Sequence, residues 1–343
     1  MNKKYNILND PFFYLFIFFS VFPFIPLLGK YLSLGTEMLI WILYAISFNL
    51  LLGYTGLASF GHGAFYGAGS YVTALLYLQF VNNSKNIFLP LLAAILVVGI
   101  LAYFLGFVIR KKRGIYFALI TVAFSQVLYI IAFKWTEVTG GELGITRLFR
   151  GQFLGIDLNN PTRYYYFVLI IVFLGSIVIR KITLSPFGKT LQSLKQNEIR
   201  IQYLGYNSAK YVCYAMTIAG IFAGLSGGLY CLLYSSVFAD NMSWVKSGDV
   251  VIASVLGGGL TNFYGPIVGS TIFVIAREIL SSIWDNWMLL YGLSFVVIIL
   301  FMPTGLLGIL ERMKEKKHVE QFSNNNNKNK RDLEAIAHKE EDK

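Results

Sequence analysis

Few residues in this chain have the type and spacing for covalent chemistry. Three histidines occur in 343 residues, and His318 and His338 lie near the C-terminus, so only His62 falls among apolar stretches. That set cannot assemble a metal site, which needs several convergent nitrogen, sulfur or oxygen ligands. No Ser-His-Asp arrangement is visible. The tripeptide Gly188-Lys189-Thr190 has the ending of a phosphate-binding loop, whose backbone amides cradle phosphates while the lysine reaches them. That loop needs a glycine five residues before Gly188, and Thr183 stands there instead. The sequence offers no catalytic residues, no metal site and no nucleotide site of its own. Cys213 and Cys231 fall on one expected helix, about 27 Å apart at about 1.5 Å per residue, too far for a bridge.

What remains is polar chemistry of another kind. Arg277 and Glu278 lie inside the apolar stretch from Gly265 to Ile283. Ionisable groups at such depth are costly; they line transport paths or pair with other helices. As neighbours in sequence they do not face each other on a helix, so they are not one self-cancelling pair. Arg277 either lies near a solute path or holds two helices together, and the packing role is preferred. Asn49, His62 and Gln126 are uncharged polar groups within or beside apolar stretches; each suits an interhelical hydrogen bond better than a solute contact. Glu278 reads as the only deep acid, with Glu37 near a helix end. The acid relay of a proton-coupled carrier is missing.

These residues must be positioned by membrane helices. The chain is 56% hydrophobic and 14% charged, with a mean hydropathy of +0.59, where a soluble domain carries about 25% charge. A bilayer crossing needs about 20 mostly apolar residues. Some ten stretches qualify: Pro11–Leu28, Tyr31–Leu52, Ser59–Phe80, Phe88–Ile109, Gly114–Phe133, Tyr164–Ile179, Tyr211–Ser235, Trp244–Leu256, Gly265–Ile283 and Trp287–Met302. The eighth is short. The expected class is an all-α integral membrane protein, with a permease domain over residues 1–310. Pro11–Leu28 follows Lys3 and Lys4 without an A-x-A-like site, so it reads as an anchor.

Charge placement orients the stack. Arg110 to Arg113, the bases of 180–210, Lys3, Lys4 and the tail fall on one side, which the positive-inside rule makes cytoplasmic, with both termini inside. The opposite loops hold Lys30, Lys85, Lys134, Arg147, Arg150, Arg163 and Lys246. No basic stripe interleaved with exposed aromatics suggests nucleic acid. Residues 134–163 form an extracytoplasmic loop with a turn signal at Thr139-Gly140-Gly141-Glu142. Residues 183–210 form a cytoplasmic loop with two short amphipathic helices. Ser185-Pro186 starts the first; Asn197 caps the second, Glu198–Leu204, which Gly205 stops. Spacing alone leaves two readings open, a helix lying on lipid headgroups or a docking surface for a soluble partner. The charged tail, 311–343, cannot bury a core and is expected to be disordered. Gly63 and Gly67, Gly220, Gly224 and Gly228, and Gly265 and Gly269 repeat at intervals of four, which lets helix backbones approach closely. Gly257-Gly258-Gly259 with Gly265-Pro266 suggests a broken helix facing protein or a water-filled cavity.

The segment from Asn49 to Tyr71, NLLLGYTGLASFGHGAFYGAGSY, resembles the signature of branched-chain amino acid ABC permeases of the LivH/LivM type. Gly114-Ile-Tyr-Phe-Ala-Leu-Ile-Thr-Val-Ala-Phe-Ser-Gln126, Thr139-Gly-Gly, Ser185-Pro-Phe-Gly188, Asn197-Glu-Ile-Arg200, Leu204-Gly-Tyr-Asn207, Leu256 to Pro266 and Pro303 to Gly308 are similar to the LivM branch. The resemblance runs from about Asn49 to Gly308. It implies half of the pathway of an importer for branched-chain or similar small amino acids. The partners it implies are a second related permease, two cytosolic ATPase subunits that bind the ATP, and an extracytoplasmic solute-binding protein. No cofactor is implied in this chain, whose home would be the bacterial inner membrane. The loop Ser185–Asn207 then matches the ATPase-docking loop, with Gly188, Glu198, Arg200 and Gly205 as its motif positions. Two departures stand out: Gly63 occupies a position where the family often has Ala, and Glu142-Leu143 follows Thr-Gly-Gly where a second acid or Asn is usual. Relatives that carry urea or short amides differ little in these motifs, so they remain an alternative, as does a carrier working without an ATPase.

Overall fold

The computed structural model describes residues 11–24, 31–84, 86–258 and 262–283, with isolated positions from 286 to 293. The expected tail, the stretch Trp287–Met302 in nearly all its length, Gly259 and the Pro303 to Gly308 motif lie outside them. Twelve helices are described: α1 Pro11–Val21, α2 Leu32–Thr55, α3 His62–Ser84, α4 Phe88–Ile109, α5 Gly114–Lys134, α6 Thr136–Thr139, α7 Pro161–Leu184, α8 Pro186–Gln196, α9 Glu198–Tyr203, α10 Ser208–Tyr234, α11 Trp244–Leu256 and α12 Gly265–Ile283. Six of them are long and apolar enough to span a bilayer: α2, α4, α5, α7, α10 and α12. The expected count of ten spans is therefore not reached among the described residues. α11 is too short, and α3 is diluted by glycine, Ser and Thr.

A helix apolar on every side belongs in a core, and α2 is that helix: every residue from Gly35 to Leu51 is buried. Around it pack α7, α10, α11 and α12, and α10 in turn lies along α3 and α4. Lipid tails are as apolar as Leu, so close backbone approach must hold such helices together. A Cβ on Gly227 would lie 1.8 Å from the Tyr66 carbonyl oxygen, and one on Gly69 would lie 2.0 Å from that of Gly224. These contacts fuse α3 to α10. The polar residues of α3 serve the same crossing, since the Ser70 hydroxyl donates to the Gly227 carbonyl at 2.8 Å. The α11–α12 hairpin is built alike: a Cβ on Gly269 would lie 1.9 Å from the Ala253 carbonyl oxygen.

Two helices start inside the bundle. His62, the first residue of α3, lies beside Ser47, midway along α2, with Nε2 3.0 Å from the Ser47 hydroxyl. α11 begins at the same level, where the Gly63 N–H donates to Ser247 Oγ at 2.7 Å. The segments before them, 56–61 and 235–243, are short connections, the second containing one 3-10 turn over Ala239–Met242, and Leu57, Ser59, Val237 and Met242 in them are buried. At one end of the bundle, the loop after α5 holds α6 and a two-stranded hairpin, β1 Gln152–Phe153 and β2 Ile156–Asp157. It is sewn to the end of α10 by paired Ile145 and Val237 amides. At the other end lie α8 and α9.

Candidate functional site

The site has two parts: the α8–α9 element and a polar cluster within the bundle. α8 starts where Ser185 caps it, accepting from the Gly188 N–H at 3.5 Å, with Pro186 at the first helical position. Gly188 is required by the sharp reversal out of α7, because a Cβ there would lie 2.2 Å from the Thr183 carbonyl oxygen. Leu191 and Leu194 are buried against the bundle. Asn197 caps α9 by accepting from the Arg200 N–H at 3.0 Å. Gly205 ends the turn in the left-handed region at φ +86°, a conformation that suits glycine. The expected second helix is one residue shorter than its reading, ending at Tyr203.

Two ties fix this element. The Lys195 ammonium donates to the carbonyl of Gly53, in the last turn of α2, at 2.9 Å. Burial lowers the pKa of that ammonium. Three residues on, Glu198 accepts two hydrogen bonds from Arg113, from Nε at 2.8 Å and from Nη2 at 2.7 Å. Burial alone would raise the Glu198 carboxyl; the hydrogen bonds from Arg113, Ser208 and Gln202 and the guanidinium charge outweigh it and hold it below the usual carboxylate range. The acid that the resemblance suited to partner contacts is therefore engaged within the chain. Large apolar side chains face outward from α9 and the residue after it: Ile199, Tyr203 and Leu204 are 64%, 87% and 67% exposed. Arg200 is exposed beside them. The helix and the residue that follows it thus expose three large apolar side chains side by side, a feature of contact surfaces.

The cluster inside the bundle differs from its expectation in several places. Glu278 is exposed on α12, and the buried acid is Glu37, on the second turn of α2. Arg277 pairs with Glu37. Glu37 also accepts from the Tyr234 hydroxyl at 2.5 Å and from Trp41 Nε1 at 3.2 Å. One carboxylate thereby joins α2, α10 and α12. Lys246, expected in an exposed loop, lies on α11 with its ammonium 4.6 Å from the Trp41 ring and 5.0 Å from that of Tyr230, a cation–π arrangement. Deeper in, His62 is fully buried against Tyr44 and Phe48, and its Nδ1 finds no partner among the described residues. Asn49 donates to the Asn262 carbonyl at 3.5 Å, leaving Oδ1 unpartnered there. Gln126 is half-buried on α5, beside Ser125, which bonds the Met242 carbonyl at 2.5 Å. Gly257 ends α11 and faces Gly265 across the hairpin, where a Cβ would lie 1.8 Å from the Gly265 carbonyl oxygen, and Gly258 follows at φ +86°. Gly257 and Gly265 thereby bring the end of α11 against the start of α12. Among the described residues no group of three His, Cys, Asp or Glu could hold a metal ion.

Sequence reasoning missed Glu37, Lys246 and Arg113. Glu37 and Arg277 are 240 residues apart, and no periodicity links them. Arg113 looked like one more orienting base in a run of four.

Comparison with known proteins places this geometry in context. A family model described as branched-chain amino acid transport system, permease component, matches residues 31–302. The high-affinity branched-chain amino acid transport system permease protein LivM of Salmonella typhimurium is 28% identical over 308 residues, covering 83% of this chain and 71% of that protein. The Escherichia coli LivM is 26% identical, covering 80% and 69%. A probable LivM of Methanocaldococcus jannaschii is 23% identical, covering 80% and 94%. No solved structure matches the chain.

Proposed function

The chain belongs to the branched-chain amino acid transport permease family, and from that premise we propose that it forms half of the membrane pathway of an ATP-driven importer of branched-chain or related small apolar amino acids. It makes no covalent chemistry. ATP is bound and hydrolysed by two cytosolic subunits, one of them seated on α9. A second related permease completes the pathway, and an extracytoplasmic binding protein delivers the solute to the end that carries the β1–β2 hairpin. Both termini lie on the cytosolic side of the inner membrane.

The observation that carries this reading is the exposed apolar ridge Ile199, Tyr203 and Leu204 on a capped two-helix element. The family match makes a docked ATPase its natural occupant. The even choice between lipid and protein partner is thereby weighed toward protein, because Glu198, Arg200, Gln202 and Lys210 place charge and amide groups around the ridge. The solute path itself is best placed where α3 and α11 begin midway along α2, since discontinuous transport helices bring free N-termini and unpaired polar groups to that depth. His62 Nδ1 and Ser59 Oγ are such groups.

Tyr203→Asp tests the docking role. It alters a side chain that is 87% exposed, so the fold is spared. The variant should insert normally yet copurify with about tenfold less ATPase subunit, the loss of one interface anchor. Wild-type recovery of the ATPase would refute the assignment of this face.

A further inference from the structure

Arg113 stands at an unusual junction. Four hydrogen bonds engage its guanidinium: Nη1 donates to the carbonyls of Arg110 and Lys112, each at 2.7 Å, while Nε and Nη2 hold Glu198 as a fork. The α4–α5 turn and the start of α9 are thus one hydrogen-bonded body. The next residue, Gly114, is in the left-handed region at φ +58°, and nothing lies within 4 Å of where its Cβ would be. Glycine is there for conformation and not for lack of space, which is what a pivot at the foot of α5 needs. Among the six spanning helices α5 has the least of its apolar stretch covered by the rest of the chain, 22% against 83% for α2. The other tie of the element, Lys195 to Gly53, goes to α2. Two ties three residues apart therefore lead to the buried core helix and to the foot of the least covered one. An open cleft lined by Thr55, Gly56, Arg113, Gly114, Lys195 and Glu198 separates them.

We propose that Arg113 is the residue through which movement of α9 is delivered to the membrane pathway: displacement of α9 pulls the Glu198–Arg113 fork, Gly114 pivots, and α5 swings against an α2 that Lys195 keeps in register. Arg113 is a positioning residue; it touches neither solute nor nucleotide. The proposal rests on the permease reading above and adds the route of coupling to it. A lysine at 113 keeps the charge but cannot bridge two carboxylate oxygens and two carbonyls at once.

The test uses the complex reconstituted in vesicles with its partner subunits, comparing solute taken up per ATP hydrolysed. Arg113→Lys is expected to retain its ATPase subunits on copurification while this ratio falls about tenfold, the scale of one charge-assisted bond. Gly114→Ala should lower the same ratio with attachment intact, and joint reversal by Arg113→Glu with Glu198→Arg should exceed Arg113→Glu alone. An unchanged ratio in both single variants would overturn the proposal. So would loss of the ATPase from Arg113→Lys, because the pair would then build the docking face instead of transmitting from it. Absence of ATP-driven uptake by the unaltered chain is a separate result, and it would sink the permease reading itself.

Discussion

Glu37 shows how much one side chain can organise in a membrane protein. Its carboxylate collects a guanidinium, a phenol and an indole from α12, α10 and its own helix. In hydrocarbon an ion pair needs further hydrogen bonds to satisfy its remaining lone pairs, and Tyr234 and Trp41 supply two of them here. Removing one partner leaves an uncompensated buried charge, a loss of about 3–5 kcal/mol. Arg277→Met should therefore lower the thermal unfolding midpoint of the detergent-purified chain markedly. Adding Glu37→Gln should recover part of the loss, because the two effects are not independent. An unshifted midpoint in the single variant would show that the pair does not stabilise the bundle. The pairing was invisible in the sequence for a plain reason. Position along each apolar stretch puts Glu37 near an end and Glu278 in the interior. Only the packing of α12 on α2 reveals that Arg277 faces inward and Glu278 outward.

At the scale of elements, the parts governed by local chemistry were legible. Ser185-Pro186, Asn197 and Gly205 start, cap and stop α8 and α9 within a residue of expectation, because capping depends only on neighbours in sequence. Spacing of glycines at intervals of four foretold close helix contacts, and the α3–α10 crossing has them. Gly227→Ala should cost about 1–3 kcal/mol through overpacking, since the new Cβ would meet the Tyr66 carbonyl at 1.8 Å. Gly248→Ala, on α11 with nothing within 4 Å, should be neutral or slightly stabilising by helix propensity. Equal effects of the two substitutions on unfolding would mean that the crossing is not tight. What hydropathy could not supply was the start of α3 and α11 inside the bundle. A window average treats each apolar stretch as a full crossing, whereas the break at 56–61 depends on Thr121 and Ser247 from distant helices.

For the whole molecule, the fold resolves into a buried core helix and the elements packed around it. α2 runs from the Glu37 cluster at one end to Lys195 at the other, buried along nearly its entire length. α5 and the α8–α9 element lie outside it, joined to each other through Arg113 and Glu198. Such a division suits a subunit that receives mechanical work from a neighbour and converts it to an opening between helices. Membership of the permease family is in keeping with the proposed route, in which energy enters from outside the chain through α9.

Solute uptake measures that dependence directly. The chain is reconstituted in vesicles with its second permease and binding protein, with and without the ATPase subunits, and accumulation of a labelled branched-chain amino acid is followed on addition of ATP. The account predicts concentrative uptake only when the ATPase subunits and ATP are both present. Uptake of equal rate and extent without them would contradict it, and would make the chain a carrier that works alone.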